Sequence, residues 1–185
     1  MLTIRVNQNI ELRQFQKKDA KILFEFININ RDYLKKWLNW VNFIQSVEQE
    51  KKYLDSLLQD INKAPSIDFS IWYDKKLVGT LGLVNIDRLN RCANLGYCID
   101  EAFQSKGIIT ESCNAIIEKA FKEFNIHRLE IRTAADNFRS KAVARRLGFR
   151  SEGTLRECYY INNGFIDCEV FGKIKVETKA SFTIR

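Results

Sequence analysis

Apolar residues recur along this chain with two different periods, and the change from one period to the other marks its elements. Between Ile10 and Phe15 apolar and polar residues alternate, which predicts an opening strand. The following segment has helical spacing and begins behind Asp19, a suitable N-cap residue. Its apolar positions are Ile22, Leu23, Phe26 and Ile27.

A second helix and a hairpin follow. Ser46 to Gln49 has the form of a capping box and predicts a helix whose apolar positions run on to Leu58 and Ile61, with Pro65 in a loop behind it. Two strand-like runs then flank a turn at residues 74–76, which predicts an antiparallel hairpin. Gly79 and Gly82 in its second arm predict a bulge or the close approach of another backbone.

The second half of the chain alternates strands with helices. A long helix is predicted behind Gly107, and a strand at 128–133 leads to a short helix at 139–147 that ends at Gly148. Two last strands, at 151–161 and 165–176, flank the turn at 162–164. This order predicts an α/β fold in which a mixed sheet carries helices on both faces, as a single domain over residues 1–185. The apolar face predicted for the long helix is Ile108, Ile109, Cys113, Ile116, Ile117, Ala120, Phe121 and Phe124.

Composition narrows the class of protein. No run of 18 apolar residues is present, and the first residues lack the apolar core of a secretory signal, so we expect a cytoplasmic protein with no membrane partner. Five cysteines without a C-x-x-C pair, together with one histidine, predict reduced thiols and no metal site. The net charge of +7 favours an anionic partner, which leaves nucleic acid, an acidic protein surface and a polyphosphate cofactor open.

The segment from Gln104 to Thr110 has the chemistry of a phosphate site. It joins a strand-like run to the long helix, and it contains Gly107. A glycine at such a junction lets backbone N–H groups approach a ligand, and the N-terminus of a helix favours negative charge. The segment therefore predicts a cradle for a diphosphate, although a simple turn glycine is the alternative.

Several ordered motifs resemble the GCN5-related N-acetyltransferase (GNAT) family, in its RimJ/RimL-like branch. They lie at 96–99, 106–111, 127–132, 136–149 and 152–156, and with 10–13, 19–20 and 37–38 the resemblance covers nearly the whole chain. The resemblance implies a GNAT fold of about seven strands, acetyl-CoA as co-substrate and no metal. Relatives are often dimers, so a homodimer is a further expectation.

The resemblance also implies which residues bind the coenzyme. Asn137 then contacts its pantetheine part, with a helix cap as the alternative role, and the strand at Gly96 splays from its neighbour so that an N–H near Cys98 or Ile99 faces the thioester oxygen. A bulge without a ligand is the alternative for Gly96. The full coenzyme set is Gly96, Tyr97, Cys98, Ile99, Gln104, Ser105, Lys106, Gly107, Ile108, Ile109, Asn137 and Ser140.

The catalytic groups are expected on the strand behind the coenzyme helix. Strand alternation places Glu157 and Tyr159 on one side and Tyr160 on the other. We expect Tyr160 to protonate the departing thiolate, Glu157 to act as base, and Ser140 to be a second proton donor. His127 is expected to be structural. Tyr33, Trp37 and Trp40 are candidates for the wall of the acceptor pocket, with a hydrophobic core stripe as the alternative.

These expectations combine into an acetyl-CoA-dependent N-acetyltransferase in which the amine attacks directly. A protein N-terminal α-amine, possibly of a ribosomal protein, is the expected acceptor, and a small-molecule amine is the alternative. Two other classes remain open, namely a coenzyme-binding regulator without activity and a ribosome- or RNA-associated protein. No RNP-like or RGG run supports direct nucleic-acid binding.

Overall fold

The structure is a computed structural model that describes residues 2–57 and 66–176. The helix predicted from the capping box is present, but its predicted continuation through Leu58 and Ile61, and the loop at Pro65, lie outside the described residues. The strands are β1 (Thr3–Arg5), β2 (Ile10–Gln14), β3 (Ile67–Tyr73), β4 (Lys76–Asp87), β5 (Cys92–Ile99), β6 (Arg128–Ala134), β7 (Arg150–Ile161) and β8 (Gly164–Ile174). The helices are α1 (Ala20–Ile29), α2 (Arg31–Leu34), α3 (Val47–Leu57), α4 (Ile108–Lys122) and α5 (Phe138–Arg146).

All eight strands join one sheet in the order β1-β2-β3-β4-β5-β6-β8-β7. Every neighbouring pair is antiparallel except β5 and β6, which run parallel on either side of α4. The predicted mixed α/β architecture is therefore confirmed. The sheet has eight strands rather than about seven because the short segment Thr3–Arg5, which has little apolar alternation, pairs with β2.

Two hydrophobic clusters cover the two faces of the sheet, as predicted. One cluster holds the buried side chains of α4 and α5 against the sheet, including Leu95, Leu129 and Ile131. The other holds α1 to α3 against the opposite face, which it reaches at Leu77 and Cys98. The predicted apolar face of α4 is buried in the first cluster from Ile108 to Phe121, while Phe124 lies beyond the end of the helix and is only partly buried.

Local sequence signals explain the connections. Asp74 and Lys75 form the turn between β3 and β4 with positive φ angles of 47° and 67°, and Asn162 and Asn163 do the same between β7 and β8 with 52° and 63°. Such turns match the right-handed twist of the strands they join. At α3 the Ser46 Oγ accepts the Gln49 N–H at 3.2 Å, whereas the Gln49 side chain accepts from Gln45 rather than from Ser46.

The two glycines of β4 permit close packing across the sheet. A Cβ on Gly79 would lie 2.4 Å from the carbonyl oxygen of Cys98, and one on Gly82 would lie 2.2 Å from Oδ1 of Asp68. The predicted close approach of another backbone is therefore confirmed at Gly79, whereas at Gly82 the nearest neighbour is a side chain and the backbone oxygen of Ile67 lies 3.2 Å away. Within residues 2–57 and 66–176, no helix is long and apolar enough to cross a membrane.

Candidate active site

The sheet opens in its middle, where the two parallel strands separate. Backbone pairing between β5 and β6 covers Cys92 to Asn94 on one strand and Arg128 to Glu130 on the other. Farther along, β5 pairs only with β4 and β6 only with β8, as far as the described residues show. The facing edges of β5 and β6 therefore carry backbone N–H and C=O groups that an extended ligand can pair with.

The N-terminus of α4 lies beside this opening. Gly107 is its N-cap residue and has a φ of +78°, a conformation that glycine adopts without strain. The N–H groups of the first helical turn have no partner within the helix, and they carry the positive end of its dipole. Gly107, Ile108, Ile109 and Thr110 all line the same cavity, so this helix end can hold an anionic group there.

Helix α5 closes the opening from the end of β6. The Asn137 side chain caps it by accepting the Ser140 N–H at 3.1 Å, which confirms the cap role predicted for Asn137. The Ser140 Oγ and the Tyr97 hydroxyl lie 3.1 Å apart and form a hydrogen bond across the separated strands. A pair of hydroxyl groups is thereby fixed inside the opening, between β5 and α5.

These elements surround a cavity of about 540 Å³. It is lined by residues from both sides of the sheet, which means that it passes through the gap between β5 and β6. Lys106 does not line it, and its Nζ lies 4.7 Å from the centroid of the Phe103 ring. The predicted coenzyme residues that do line it are Gly96, Tyr97, Cys98, Ile99, Gln104, Ser105, Gly107, Ile108, Ile109, Asn137 and Ser140.

The end of the cavity on the α1–α3 face is aromatic. Tyr33, Trp37 and Trp40 line it together with Tyr159 of β7. Tyr33 also packs against the hydrophobic cluster of that face, so the wall and core interpretations both apply to it. Trp40 is 39% exposed, which makes it part of the rim of the cavity.

The charged side chains in the lining, among the described residues, are all arginines: Arg132, Arg139 and Arg146. Arg146 donates from Nη1 to the Thr110 Oγ1 at 3.1 Å, and Arg139 donates to the Gln104 side chain. Both therefore lie over the N-terminus of α4 and add positive charge to it. Arg132 comes from β6 and is separate from that pair.

The two groups predicted on β7 lie elsewhere. Glu157 and Tyr160 are absent from the described lining of the cavity. Tyr160 is 52% exposed and packs on Phe165, with ring centroids 5.0 Å apart. Glu157 has a φ of +50°, and its N–H donates to the Asp167 Oδ1 at 2.9 Å.

A bulge explains why sequence alternation misplaced Glu157. The register between β7 and β8 shifts between Leu155 and Tyr159, so the two-residue period does not hold across Glu157. Counting back from the hairpin turn gives the observed result, because buried Ile161 and cavity-lining Tyr159 are two residues apart. Alternation had placed Tyr159 and Tyr160 on opposite sides, as observed, so only the position of Glu157 was misjudged from the strand period.

Burial keeps the phenols and thiols of the site in their neutral forms. It raises the pKa of the Tyr159 phenol to about 12, and it also raises the pKa of Tyr97. Burial likewise raises the pKa of the Cys98 and Cys113 thiols, so neither is a ready nucleophile. The described residues contain no cluster of three potential metal ligands.

Together, these features fit a long ligand with an anionic head and an amide-containing arm. The head matches the helix end and its two arginines, and the arm matches the open strand edges. At Gly96, which faces the gap, an added Cβ would meet nothing within 4 Å, so there is free space beside that strand. The far end of such an arm would meet a second molecule entering from the aromatic side.

Comparison with known proteins identifies the family. Residues 9–150 match the acetyltransferase (GNAT) domain. The chain is 35% identical to Bacillus subtilis YdaF, a protein named provisionally as a ribosomal N-acetyltransferase, over 96% of this chain and 97% of that protein. It is 30% identical to the ribosomal-protein-serine acetyltransferase of Escherichia coli K12, over 93% and 96% of the two chains.

The fold agrees with a solved structure of this branch. A structure of RimL, the ribosomal L7/L12 α-N-protein acetyltransferase, in complex with coenzyme A superposes with a TM-score of 0.90. The two are 27% identical, and the match covers 94% of this chain and 98% of that one. The chain therefore belongs to the GNAT family, in its RimJ/RimL-like branch, and is an N-acetyltransferase that uses acetyl-CoA.

Proposed function

We propose that this enzyme acetylates the α-amino group at a protein N-terminus, and that a ribosomal protein is its acceptor. The observation that carries the proposal is the through-sheet cavity, with an anion-binding end on one face and an aromatic pocket on the other. Two relatives with names that refer to ribosomal acetylation match nearly the full length of the chain, which supports the acceptor class.

The coenzyme end of the cavity is the one at α4. In this proposal the N–H groups behind Gly107 hold the diphosphate, and Arg139 and Arg146 pair with phosphate oxygens. The open edge of β5 from Gly96 to Ile99 holds the pantetheine amides, and it presents an N–H near Cys98 or Ile99 to the thioester oxygen. Acetyl-CoA supplies the activated acetyl group and a thiolate leaving group.

In this proposal Ser140 relays a proton: its hydroxyl gives one to the departing thiolate, and its oxygen takes the one that the attacking nitrogen releases. Its hydroxyl lines the cavity and shares a hydrogen bond with the Tyr97 hydroxyl, which holds its oxygen in place. General acid catalysis of this kind contributes about a hundredfold or more. Ser140→Ala is therefore expected to lower kcat while leaving the affinity for acetyl-CoA nearly unchanged.

The acceptor end favours an amine that is already neutral at physiological pH, so that no base is needed to deprotonate it. No carboxylate or histidine lines the cavity within the described part of the chain, so no base is at hand there. At pH 7.5 roughly a third of an ordinary α-amine is neutral, against about one part in a thousand of a lysine side chain. The lack of lining carboxylates also disfavours a polyamine, since a polycation needs anionic partners.

The test is a choice between two amines in one molecule. A peptide with a free α-amine and an internal lysine is incubated with enzyme and acetyl-CoA, and tandem mass spectrometry locates the acetyl group. We expect acetylation at the α-amine, and none on a matched peptide whose α-amine is blocked. Acetylation of the lysine, or of spermidine in preference to both peptides, would overturn the proposal.

A further inference from the structure

We propose that Arg132 makes the acceptor pocket selective for an α-amine whose next residue carries a carboxylate. This inference rests on the proposed function and names the class of N-terminus that the same site accepts. The position of Arg132, the way its guanidinium is held and the charge of its surroundings each support it.

Arg132 lies on the acceptor side of the sheet. It follows Glu130, the last residue of β6 that pairs with β5, and so it borders the gap. Leu129 and Ile131 on the same strand both point to the face of the sheet that α4 covers, and they belong to the hydrophobic cluster there. Because side chains alternate along a strand, Arg132 points to the opposite face, where the aromatic wall lies. It lines the cavity and is 42% exposed.

One edge of the Arg132 guanidinium is fixed by the protein. Nε and Nη2 donate to the Oε2 of Glu130 at 3.1 and 2.9 Å. The edge that carries Nη1 is directed away from Glu130. A guanidinium held in this way is preorganised, and its remaining N–H groups have the planar geometry that suits a carboxylate.

The carboxylates that pair with Arg128 and Arg132 lie outside the cavity lining. Two arginines share the Glu130 carboxylate, because its Oε1 accepts a hydrogen bond from Arg128 at 2.8 Å. Arg128 in turn pairs with Glu152 on β7. Among the described residues, no acidic side chain lines the cavity itself, so Glu130, which holds the other edge of the Arg132 guanidinium, is the carboxylate that an anion there competes with.

The spacing fits the residue that follows the α-amine. In the proposed function the acceptor nitrogen attacks beside Cys98 or Ile99 on β5, and Arg132 lies across the gap on β6, two residues beyond the last paired residue Glu130. An extended chain advances about 3.4 Å per residue, and β5 and β6 have separated here beyond the roughly 4.8 Å of paired strands, so the Arg132 side chain that lines the cavity bridges part of the distance. A side chain on the second residue can therefore reach across the gap, while a lysine at the same position would bring like charges together.

The experiment uses three peptides that differ only in the second residue, which is Asp, Asn or Lys. Steady-state kcat/KM is measured for the wild type, R132Q and R132K. The wild type should prefer Asp over Asn by about tenfold, the size of one charge-assisted hydrogen bond, and should use Lys least well. R132Q should bring the Asp to Asn ratio close to one, and R132K should keep part of the preference.

R146Q is the matched control, because Arg146 lines the same cavity at its other end. It should raise the KM for acetyl-CoA and leave the Asp to Asn ratio at its wild-type value. R132Q should fold, because Glu130 keeps its bond to Arg128; thermal unfolding checks this.

The outcomes separate the two proposals. If the wild type acetylates no α-amine, the proposed function fails. If it acetylates all three peptides with an Asp to Asn ratio near one, only the Arg132 inference fails. It fails equally if the wild-type preference persists in R132Q. Should R132Q not fold, the wild-type ratio and the R132K ratio still decide the matter.

Discussion

Tyr159 and Tyr160 are adjacent on β7, yet their surroundings differ. Tyr159 lines the cavity beside the aromatic wall, and burial raises its pKa to about 12. Tyr160 is exposed and packs on Phe165 at the surface. A hydroxyl inside the cavity can contact the acceptor or the leaving group, whereas one at the surface cannot.

Substitution of each tyrosine by Phe separates the two positions. We expect Tyr159→Phe to lower kcat/KM for the acceptor by about tenfold, the loss of one hydrogen bond made at the reacting groups. Tyr160→Phe is the control and should change kcat/KM by less than about twofold. Steady-state kinetics on both variants checks this, and a larger loss in Tyr160→Phe would restore the original prediction from sequence.

Glu50 gives a pH-dependent test of the packing of α3. This carboxyl is 3% exposed, and burial raises its pKa from an ordinary 4.5 to about 7. Between those values the folded protein binds more protons than the unfolded one. The free energy of unfolding therefore falls as pH rises from about 4.5 to 7, and the penalty is complete above pH 7.

Glu50→Gln should remove this penalty. Its melting temperature should exceed that of the wild type at pH 8 and approach it at pH 4.5, because the wild-type side chain is then neutral as well. Glu48→Gln is the control, since Glu48 is exposed on the same helix. Thermal unfolding across this pH range decides, and a difference that does not change with pH would contradict the assignment.

At the scale of residues, the sequence alone predicted a site residue where a special backbone conformation requires a particular residue type. Gly107 was predicted because a glycine between a strand and a helix marks a turn, whereas Asn137 and Ser140 came from the family resemblance, with a helix cap as the alternative. Glu157 was misplaced because a bulge interrupts strand alternation there, and no local residue preference predicts that bulge; the preference for Tyr160 over Tyr159 rested on the family resemblance. Arg132, Arg139 and Arg146 belong to a basic group in which the sequence allows some phosphate partners, but a solvated surface was favoured for any one of them, because isolated charged residues usually lie there.

At the scale of elements, periodicity predicted nearly all helices and strands. Helix α4 was predicted from eight apolar positions that recur along one face, and its burial agrees. Strand β1 was missed because three residues without apolar alternation carry too little pattern. The separation of β5 and β6 could be expected only from family resemblance, since it depends on what lies between the strands rather than on either strand.

The glycine at the start of α4 has a left-handed backbone conformation, and it is also part of the proposed coenzyme site. Gly107 and Gly148 have nearly equal φ angles, +78° and +77°, at the start of α4 and the end of α5. An Ala at either position pays about 1–2 kcal/mol for this conformation. The space at Gly107 is open, because an added Cβ would meet only the Glu111 Oε1, at 3.7 Å.

At Gly148 an added Cβ would also lie 3.1 Å from the Lys173 Nζ, so Gly148→Ala should lose at least as much stability as Gly107→Ala, and the two should differ in binding. We expect Gly107→Ala to weaken acetyl-CoA binding by at least about tenfold, because the N–H groups of the cradle shift when its backbone relaxes. Gly148→Ala should bind acetyl-CoA like the wild type. Isothermal titration calorimetry beside thermal unfolding checks both, and equal affinities in the two variants would place the diphosphate elsewhere.

At the scale of the whole molecule, the fold brings two chemically different surfaces together through one sheet. One hydrophobic cluster supports α4 and α5 with their arginines, and the other supports α1 to α3 with the aromatic wall. The gap between β5 and β6 is where the two surfaces meet. A ligand that occupies both ends at once must therefore pass through the sheet.

The most direct test of this account is the affinity of such a ligand, measured by calorimetry. The ligand is a conjugate in which an acetyl bridge joins the coenzyme A sulfur to the α-nitrogen of an N-terminal peptide. Joining two ligands that bind adjacent sites raises affinity by about a hundredfold or more over either part. We expect this gain for the α-linked conjugate and not for one linked through a lysine side chain. A conjugate that binds no more tightly than coenzyme A would show that the two sites do not meet through the sheet.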